Sequence, residues 1–412
     1  MLERCFKQAT VDRLRNGPAG PFLDGFAEAL FAEGYAPKTS GSYLHAADHL
    51  CRWISQRGRA VEKLDEAQLR SFVRHLPKCR CPDRKRHARK RVPYKVHRFL
   101  YYLRDAGVVT TCAPIATREP LVTEYVAWMR GGRGLAPTTI GHSVPVVEAL
   151  LLTVADDPAR LDASGVRRFV LKYIREHAPA SAGCVTTIVR CFLRWLVMHG
   201  RCLTDLTEAV PKVPTWRLAR LPRYLPDDDI ERIIVACDRP SLVARRDRAM
   251  LLLLARLGLR GGDVVGLRLD DIDWVSNQIL FRALKHGKDS LLPLTREVGE
   301  SLLDYLQNAR PDCQDLHLFV SLRAPYHGLK NSSVLSNRID HYIRAAGIEI
   351  ACKGAHVFRH GFATRMLAQG HSLKAIADVL GHRHLESTFI YTKVDFEHLK
   401  QVALPWPGET SP

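Results

Sequence analysis

One pattern occurs twice in the first two hundred residues, and this repeat constrains the fold more than any other feature of the chain. Gly34-Tyr-Ala-Pro-Lys-Thr39 returns as Gly134-Leu-Ala-Pro-Thr-Thr139, with Gly41 echoed by Gly141 and Leu50 by Leu150. Leu64-Asp65 and Phe72-Val73 return as Leu161-Asp162 and Phe169-Val170, and Phe99-Leu100, Leu103 and Gly107 as Phe192-Leu193, Leu196 and Gly200. The offset between partners shrinks from 100 to 97 to 93 residues along the way. Length changes collect in loops, so the matched stretches are helices and the differences lie between them. Within them apolar residues recur at three and four, as at Leu69, Phe72, Val73 and Leu76, the period of a half-buried helix. Pro37 and Pro137, each followed by a threonine, suit the first turn of a helix. Pro145 is expected to kink the helix it falls in. The reading is a tandem duplication of one small helical domain, over 1–115 and 116–205.

Charge then bears on the partner. Sixty-one lysines and arginines against 43 acids leave a net charge of +18, which favours a polyanion, while 46% hydrophobic content indicates a folded chain. The excess is concentrated in one place. From Lys78 to Arg98 there are ten basic residues and one acid, Asp83, with Tyr94 among them. Within this run Lys78, Arg80, Arg84, Lys85, Arg86, Arg89, Lys90 and Arg91 are the expected phosphate contacts, joined by Lys38, Thr138 and Thr139 on the two Pro-Thr turns. Pro211, Pro214, Pro222 and Pro226 cannot continue a helix, so 206–222 reads as an extended linker. No apolar run reaches membrane-spanning length, and the first residues, MLERCFKQATVDRLRNG, are charged where a secretory leader needs an apolar stretch. A cytoplasmic protein with no membrane contact is expected. The 11 cysteines are odd in number and scattered, which suits reduced thiols. Cys79-Arg-Cys81 followed by His87 could form half of a metal site, but without a second ligand pair no metal is expected.

A third domain follows over 223–402, with a tail at 403–412. Asp227, Asp228 and Asp229 suit a helix start, and a buried helix is predicted from about Arg246 to Leu257. Gly258-Leu-Arg260-Gly-Gly-Asp263 breaks and restarts the helical pattern. Gln278–Leu284 and Ser290–Leu294 read as strands around the turn Lys285-His-Gly-Lys288. Helices are predicted to begin near Thr295, Ser332, His356, Ser372 and Glu386. Fold class is therefore mainly α, with tandem small helical domains and a mostly helical third domain carrying a small antiparallel sheet.

The stretch from Gly354 to Val394 holds the chemistry. His356 and Arg359 are three apart and share a helix face. His382 follows Gly381 at the end of an amphipathic segment, and Tyr391 comes nine residues later. Two histidines, an arginine and a tyrosine are what a site needs to hold a phosphate and attack it with a phenol. Upstream, Arg260 in GLRGGD and Lys285 in ALKHGKDSLLPL complete an ordered set over Leu221 to Gln401 that resembles the catalytic domain of the tyrosine recombinases, the phage integrase family. The duplicated helical domain is similar to the family's SAM-like core-binding module. Only the second copy, beside the linker, stands in that module's usual place.

The resemblance implies a site-specific recombinase that cleaves and rejoins DNA through a 3′-phosphotyrosine link, in the service of a mobile element. Arg260 and Arg359 would clamp the non-bridging oxygens. Lys285 would protonate the leaving 5′ oxygen, with Lys288 its rival. His356 would help deprotonate Tyr391, whose ordinary pKa of about 10 leaves it protonated at neutral pH. His382 would hydrogen bond to the phosphate. Asp263 is expected to brace an active-site side chain, and His360 to support Arg359. His356 and His360 also have the spacing of a zinc pair, but Val357 stands where H-E-x-x-H has its glutamate. The resemblance further implies double-stranded DNA as substrate, no cofactor, and four protomers clamped on two sites, alone or with related recombinases, the tail packing on a neighbour. The alternatives are a type IB topoisomerase and a DNA-binding relative without activity.

Overall fold

The apolar period of the sequence becomes α-helix through most of the chain. The computed structural model describes residues 1–79, 92–109, 120–154, 157–177, 181–213, 224–282, 289–350, 354–382 and 384–394. Two compact units divide it, one of Met1–Thr110 together with Leu218–Pro412 and one of Thr111–Arg217.

The first unit opens with helices α1 (Gln8–Arg15), α2 (Gly20–Ala32), α3 (Pro37–Ser55), α4 (Glu66–His75) and α5 (Val92–Asp105). Leu23, Phe26, Leu30, Leu44, Leu50, Phe72, Phe99 and Leu103 form their shared core. The second unit contains α6 (Pro120–Gly131), α7 (Pro137–Leu152), α8 (Ala163–His177) and α9 (Ala182–Met198), around Tyr125, Val147, Leu150, Val170, Phe192 and Trp195.

The repeat is visible in the local chemistry. Pro37 and Pro137 each take the first helical position, after Gly34 and Gly134, which stand at φ 82° and 59°. Asp65 Oδ1 accepts from the Gln68 backbone at 2.6 Å, and Asp162 Oδ1 from the Gly165 backbone at 2.5 Å. Each satisfies a backbone N–H that the first turn of its helix leaves without a partner. Helix α7 runs on through Pro145, although the proline cannot donate to the carbonyl four residues earlier, at Gly141.

The remainder of the first unit comprises α10 (Asp227–Ala236), α11 (Leu242–Leu257), α12 (Gly261–Gly266), strands β1 (Ile272–Asp273), β2 (Gln278–Phe281) and β3 (Ser290–Pro293), then α13 (Arg296–Asn308), α14 (Ser333–Ala345), α15 (His356–Ala368) and α16 (Leu373–Leu380). Two 3₁₀ turns, Leu385–Ser387 and Phe389–Val394, follow in place of the helix predicted near Glu386. The sheet is antiparallel in the order β1-β2-β3, with Ile279 opposite both Ile272 and Leu292. At two residues β1 is too short to show a period of two. Strand β2 ends at Phe281, short of the predicted Leu284. Lys285 and Lys288 lie outside the described residues.

Helix α11 is the spine of this part. Met250–Ala255 are fully buried, and α10, α13, α14 and α15 pack around the helix. It begins four residues before the predicted Arg246 because Ser241 caps it, Oγ accepting from the Ala244 backbone at 3.1 Å. The polar run in its first turns is also partly buried. The Asp247 carboxylate accepts from Arg246 Nη2 at 2.9 Å, Arg338 Nε at 2.5 Å and Tyr342 Oη at 3.1 Å. That network satisfies a wholly buried acid and ties α11 to α14.

Both α11 and α16 end on a left-handed glycine, Gly258 at φ 62° and Gly381 at φ 60°. A Cβ on Gly258 would meet the Phe362 ring at 2.5 Å, whereas one on Gly381 has nothing within 4 Å. Gly381→Ala is therefore expected to cost about 1–2 kcal/mol, the left-handed penalty alone. Gly258→Ala should cost clearly more, as overpacking adds its own term. Urea unfolding of the two variants checks this ordering.

Candidate active site

Arg359, in the first turn of α15, is buried at 5% exposure. A guanidinium out of water needs hydrogen bonds, and two helix ends supply them: Nη1 donates to the Gly258 carbonyl at 2.9 Å and Nη2 to the Leu380 carbonyl at 2.5 Å. Arg260, three residues beyond the end of α11, is more exposed and donates from Nη2 to the Gly381 carbonyl at 3.3 Å. The carbonyl ends of α11 and α16, the negative poles of their dipoles, thus hold both arginines. Burial together with Arg260 pulls the Arg359 pKa down to about 10, which leaves it charged at neutral pH. Asp263, 3.9 Å from Arg260 Nη1, is half-buried, and that burial raises its pKa against the pull of both arginines.

Three histidines surround this pair. His356 stands at the start of α15 with its ring partly covered, and desolvation first, then Arg359 and Arg260, depress its pKa. His382 shares a 2.8 Å hydrogen bond between Nδ1 and Thr388 Oγ1. Burial first, then Arg359, Arg260 and His360, push its pKa down to about 4. His360, one turn along α15 from His356, places Nδ1 3.1 Å from the Tyr391 hydroxyl. Its pKa is lowered by burial, His356 and Arg359.

Tyr391 lies in the second 3₁₀ turn at 2% exposure, packed with Ala363, Ile376 and Leu380. Its ring is stacked with that of His382, centroids 6.5 Å apart. Burial raises the phenol's pKa, and Arg359 and Arg260 draw it back.

The structure therefore gathers Arg260, Asp263, His356, Arg359, His360, His382 and Tyr391 in one place. It puts His360, expected beside Arg359 as support, on the nucleophile candidate itself; among the described residues the hydrogen bond to that phenol is made by His360 and not by His356. Thr388 was missed by sequence reasoning. It stands three residues before Tyr391, a spacing that could have suggested it. Lys38, Thr138 and Thr139 are exposed in the first turns of α3 and α7. Lys78 ends a short 3₁₀ turn, and its side chain, like Arg80, Arg84, Lys85, Arg86, Arg89, Lys90 and Arg91, falls outside the described residues.

The phage integrase family profile matches residues 223–398, and the N-terminal SAM-like domain of phage integrases matches 22–106, the first copy of the repeat. A provisionally named integrase/recombinase of Sinorhizobium fredii is 35% identical over 407 residues, 97% of each chain. This chain belongs to the phage integrase family, the tyrosine recombinases. Tyrosine recombinase XerD of Lacticaseibacillus casei is 30% identical over 68% of this recombinase and 96% of its own length. Among solved structures the fold is shared with XerH bound to a palindromic difH substrate, a post-cleavage complex, at 15% identity and a TM-score of 0.52 over 95% of both chains. It is shared too with a truncated lambda integrase dimer bound to a COC′ core site, at 20% identity and a TM-score of 0.52 over 66% of this chain and 94% of that one. Among the described residues no helix is long and apolar enough to cross a membrane.

The depressed histidines make stability depend on pH. His382 titrates near 6.5 when unfolded and at about 4 when folded, so between those values the unfolded chain binds the extra proton. Its contribution is complete above pH 6.5 and is lost as the pH falls toward 4. Melting temperatures recorded from pH 7 to pH 4 should fall less steeply for His382→Asn than for the wild type.

Proposed function

We propose that this recombinase cleaves and rejoins DNA at specific sites through a 3′-phosphotyrosine link formed by Tyr391, and that it serves the integration or transposition of a mobile element. One observation carries the reading: a phenol hydrogen-bonded to a neutral histidine lies beside two arginines fixed on helix-end carbonyls. In the attack the Tyr391 oxygen bonds to phosphorus and its proton passes to a base, while the 5′ oxygen leaves and takes a proton from an acid. His360 is in position to receive the phenol's proton at Nδ1. His356, at the exposed edge of the site, then faces the phosphate with His382. Arg260 and Arg359 stabilise the negative charge that builds on the non-bridging oxygens. Lys285 is assigned the leaving-group proton from the resemblance, with Lys288 the alternative. The link conserves the energy of the phosphodiester, so rejoining needs no nucleotide cofactor.

The relatives named integrase/recombinase, aligned from end to end, favour the mobile-element role. The domain division read from the sequence is kept as part of the proposal: helical domains over 1–115 and 116–205, a linker over 206–222, a catalytic domain over 223–402 and a tail over 403–412. We further propose a homotetramer on two DNA sites, alone or with related recombinases.

Nicked duplexes covering the DNA that flanks the coding sequence test the chemistry, because a nick beside the cleavage point lets a short fragment diffuse away and traps the covalent complex. The wild type is expected to give a protein–DNA adduct that Tyr391→Phe abolishes. His360→Ala should slow adduct formation by about 10²–10⁴-fold, the usual contribution of a general base, and His356→Ala by less. An adduct that persists in Tyr391→Phe would sink the assignment of the nucleophile. Equal effects of the two histidine variants would return the base role to His356.

A further inference from the structure

A second cluster of reactive side chains lies far along the chain from Tyr391, in the N-terminal helices. His49 on α3, His75 at the last position of α4, and Cys79 just past the short 3₁₀ turn Leu76–Lys78 bring one ligand atom each to within 4.8 Å of one another. His49 Nε2 and Cys79 Sγ are 3.4 Å apart. We propose that His49, His75 and Cys79 bind a divalent zinc-like cation as a structural site of the N-terminal helical domain.

Distances, donor type and surroundings each support this. Around a tetrahedral zinc, bonds of about 2.0–2.1 Å to nitrogen and 2.3 Å to sulfur place neighbouring donors about 3.4–3.6 Å apart. The His49–Cys79 pair already has that separation, and the third donor needs a shift of about 1 Å, within the reach of an imidazole rotation. Two imidazoles and a thiolate favour zinc over calcium or magnesium, which take oxygen ligands. His75, whose ring also packs on those of Trp53 and Phe72, brings the third donor to the same point.

An apolar wall surrounds the cluster. The His49 ring stands edge-on to Phe72 at 5.1 Å, and the His75 ring lies 5.8 Å from that of Trp53. Cys79 is buried, and both histidines are half-buried. Such a shell limits water and strengthens ligation. Three protein donors leave one tetrahedral position for water or a further donor. On binding, the Cys79 thiol gives its proton to solvent and the sulfur bonds the metal as thiolate.

The position suggests a purpose. Cys79 lies near the start of the basic run from Lys78 to Arg98, next to Arg80. A cation held there would tie the start of that run to α3 and to the end of α4.

Cobalt(II) titration of the chelator-stripped full-length chain tests the site, since a cobalt–thiolate bond gives a charge-transfer absorption that nitrogen and oxygen ligands do not. The expected result is one equivalent of cobalt bound with that absorption, displaced by zinc, and a melting temperature raised by either metal. Cys79→Ser should abolish the absorption. His49→Asn and His75→Asn should each weaken binding at least about tenfold, a loss seen even for residues that only orient a ligand. Cys184→Ser, at an exposed cysteine of the other unit, should change nothing. Circular dichroism of each variant shows whether it has folded, and if Cys79→Ser has not, the two histidine variants read the same loss. A wild type with no stoichiometric absorption, or an absorption that survives in folded Cys79→Ser, overturns the proposal. None of these readouts depends on strand transfer.

Discussion

Two guanidiniums of like charge, one of them buried, are held side by side by backbone carbonyls, and the rest of the site depends on how that is done. Arg359 bonds to Gly258 and Leu380, and Arg260 to Gly381. A carboxylate bonded to each guanidinium would have cancelled its charge; Asp263 approaches Arg260 Nη1 at 3.9 Å without such a bond, and the close partners are carbonyls. Carbonyls satisfy the N–H groups and leave the charge in place, so the site remains in want of an anion. The same field explains the histidines, since desolvation beside two cations lowers the pKa of His356, His360 and His382 and favours the neutral imidazole. A neutral imidazole can take a proton from a phenol; an imidazolium cannot.

That arrangement requires the ends of two helices to meet, and the core of the catalytic part sees to it. Helix α11 is fixed at its start by the Asp247 network with Arg246, Arg338 and Tyr342. Its last turn is gripped by α15, where Arg365 donates to the Ala255 carbonyl at 2.9 Å and Arg359 to that of Gly258. One helix therefore supplies two guanidiniums to the carbonyl end of another. The close approach of Phe362 to Gly258 sets how near the two helices lie, and it leaves no room for a larger residue at that end.

What could be read beforehand was whatever repeats within a few residues. The duplicated domain was legible because proline, glycine and capping aspartate recur at matching places, and each does in the structure what its local chemistry dictates. Arg260, His356, Arg359, His382 and Tyr391 were legible as an ordered pattern, and the structure brings these candidates together. His360 was read as support for Arg359 because only folding shows which imidazole meets Tyr391, 31 positions on. The start of α11 was read four residues late, at about Arg246, because nothing local shows that Asp247 and Arg246 are buried among partners from the rest of the fold, so that the helix reaches back to its Ser241 cap. Strand β1 lacked the length to show a period. The His49, His75 and Cys79 cluster was invisible for the same reason as His360: in sequence Cys79 stands beside Cys81, while His49 lies 30 residues upstream on another helix.

The site is also unevenly anchored. Arg359 is tied to the end of α11, in the main core, as well as to α16, whereas Tyr391 sits in a 3₁₀ turn whose buried neighbours, Ala363, Ile376 and Leu380, form a small cluster of their own. Burying a large side chain is worth about 1.5–3 kcal/mol, so moving that turn disturbs a few such contacts and leaves α11 untouched. A phenol at 2% exposure has to be uncovered, by movement of its turn or by a phosphate entering beside it, before it can bond to phosphorus. On the proposed chemistry this division is useful. The cations are in place before DNA arrives and locate the phosphate, while the nucleophile stays protonated and covered on His360 until the phosphate's negative charge has entered beside the arginines.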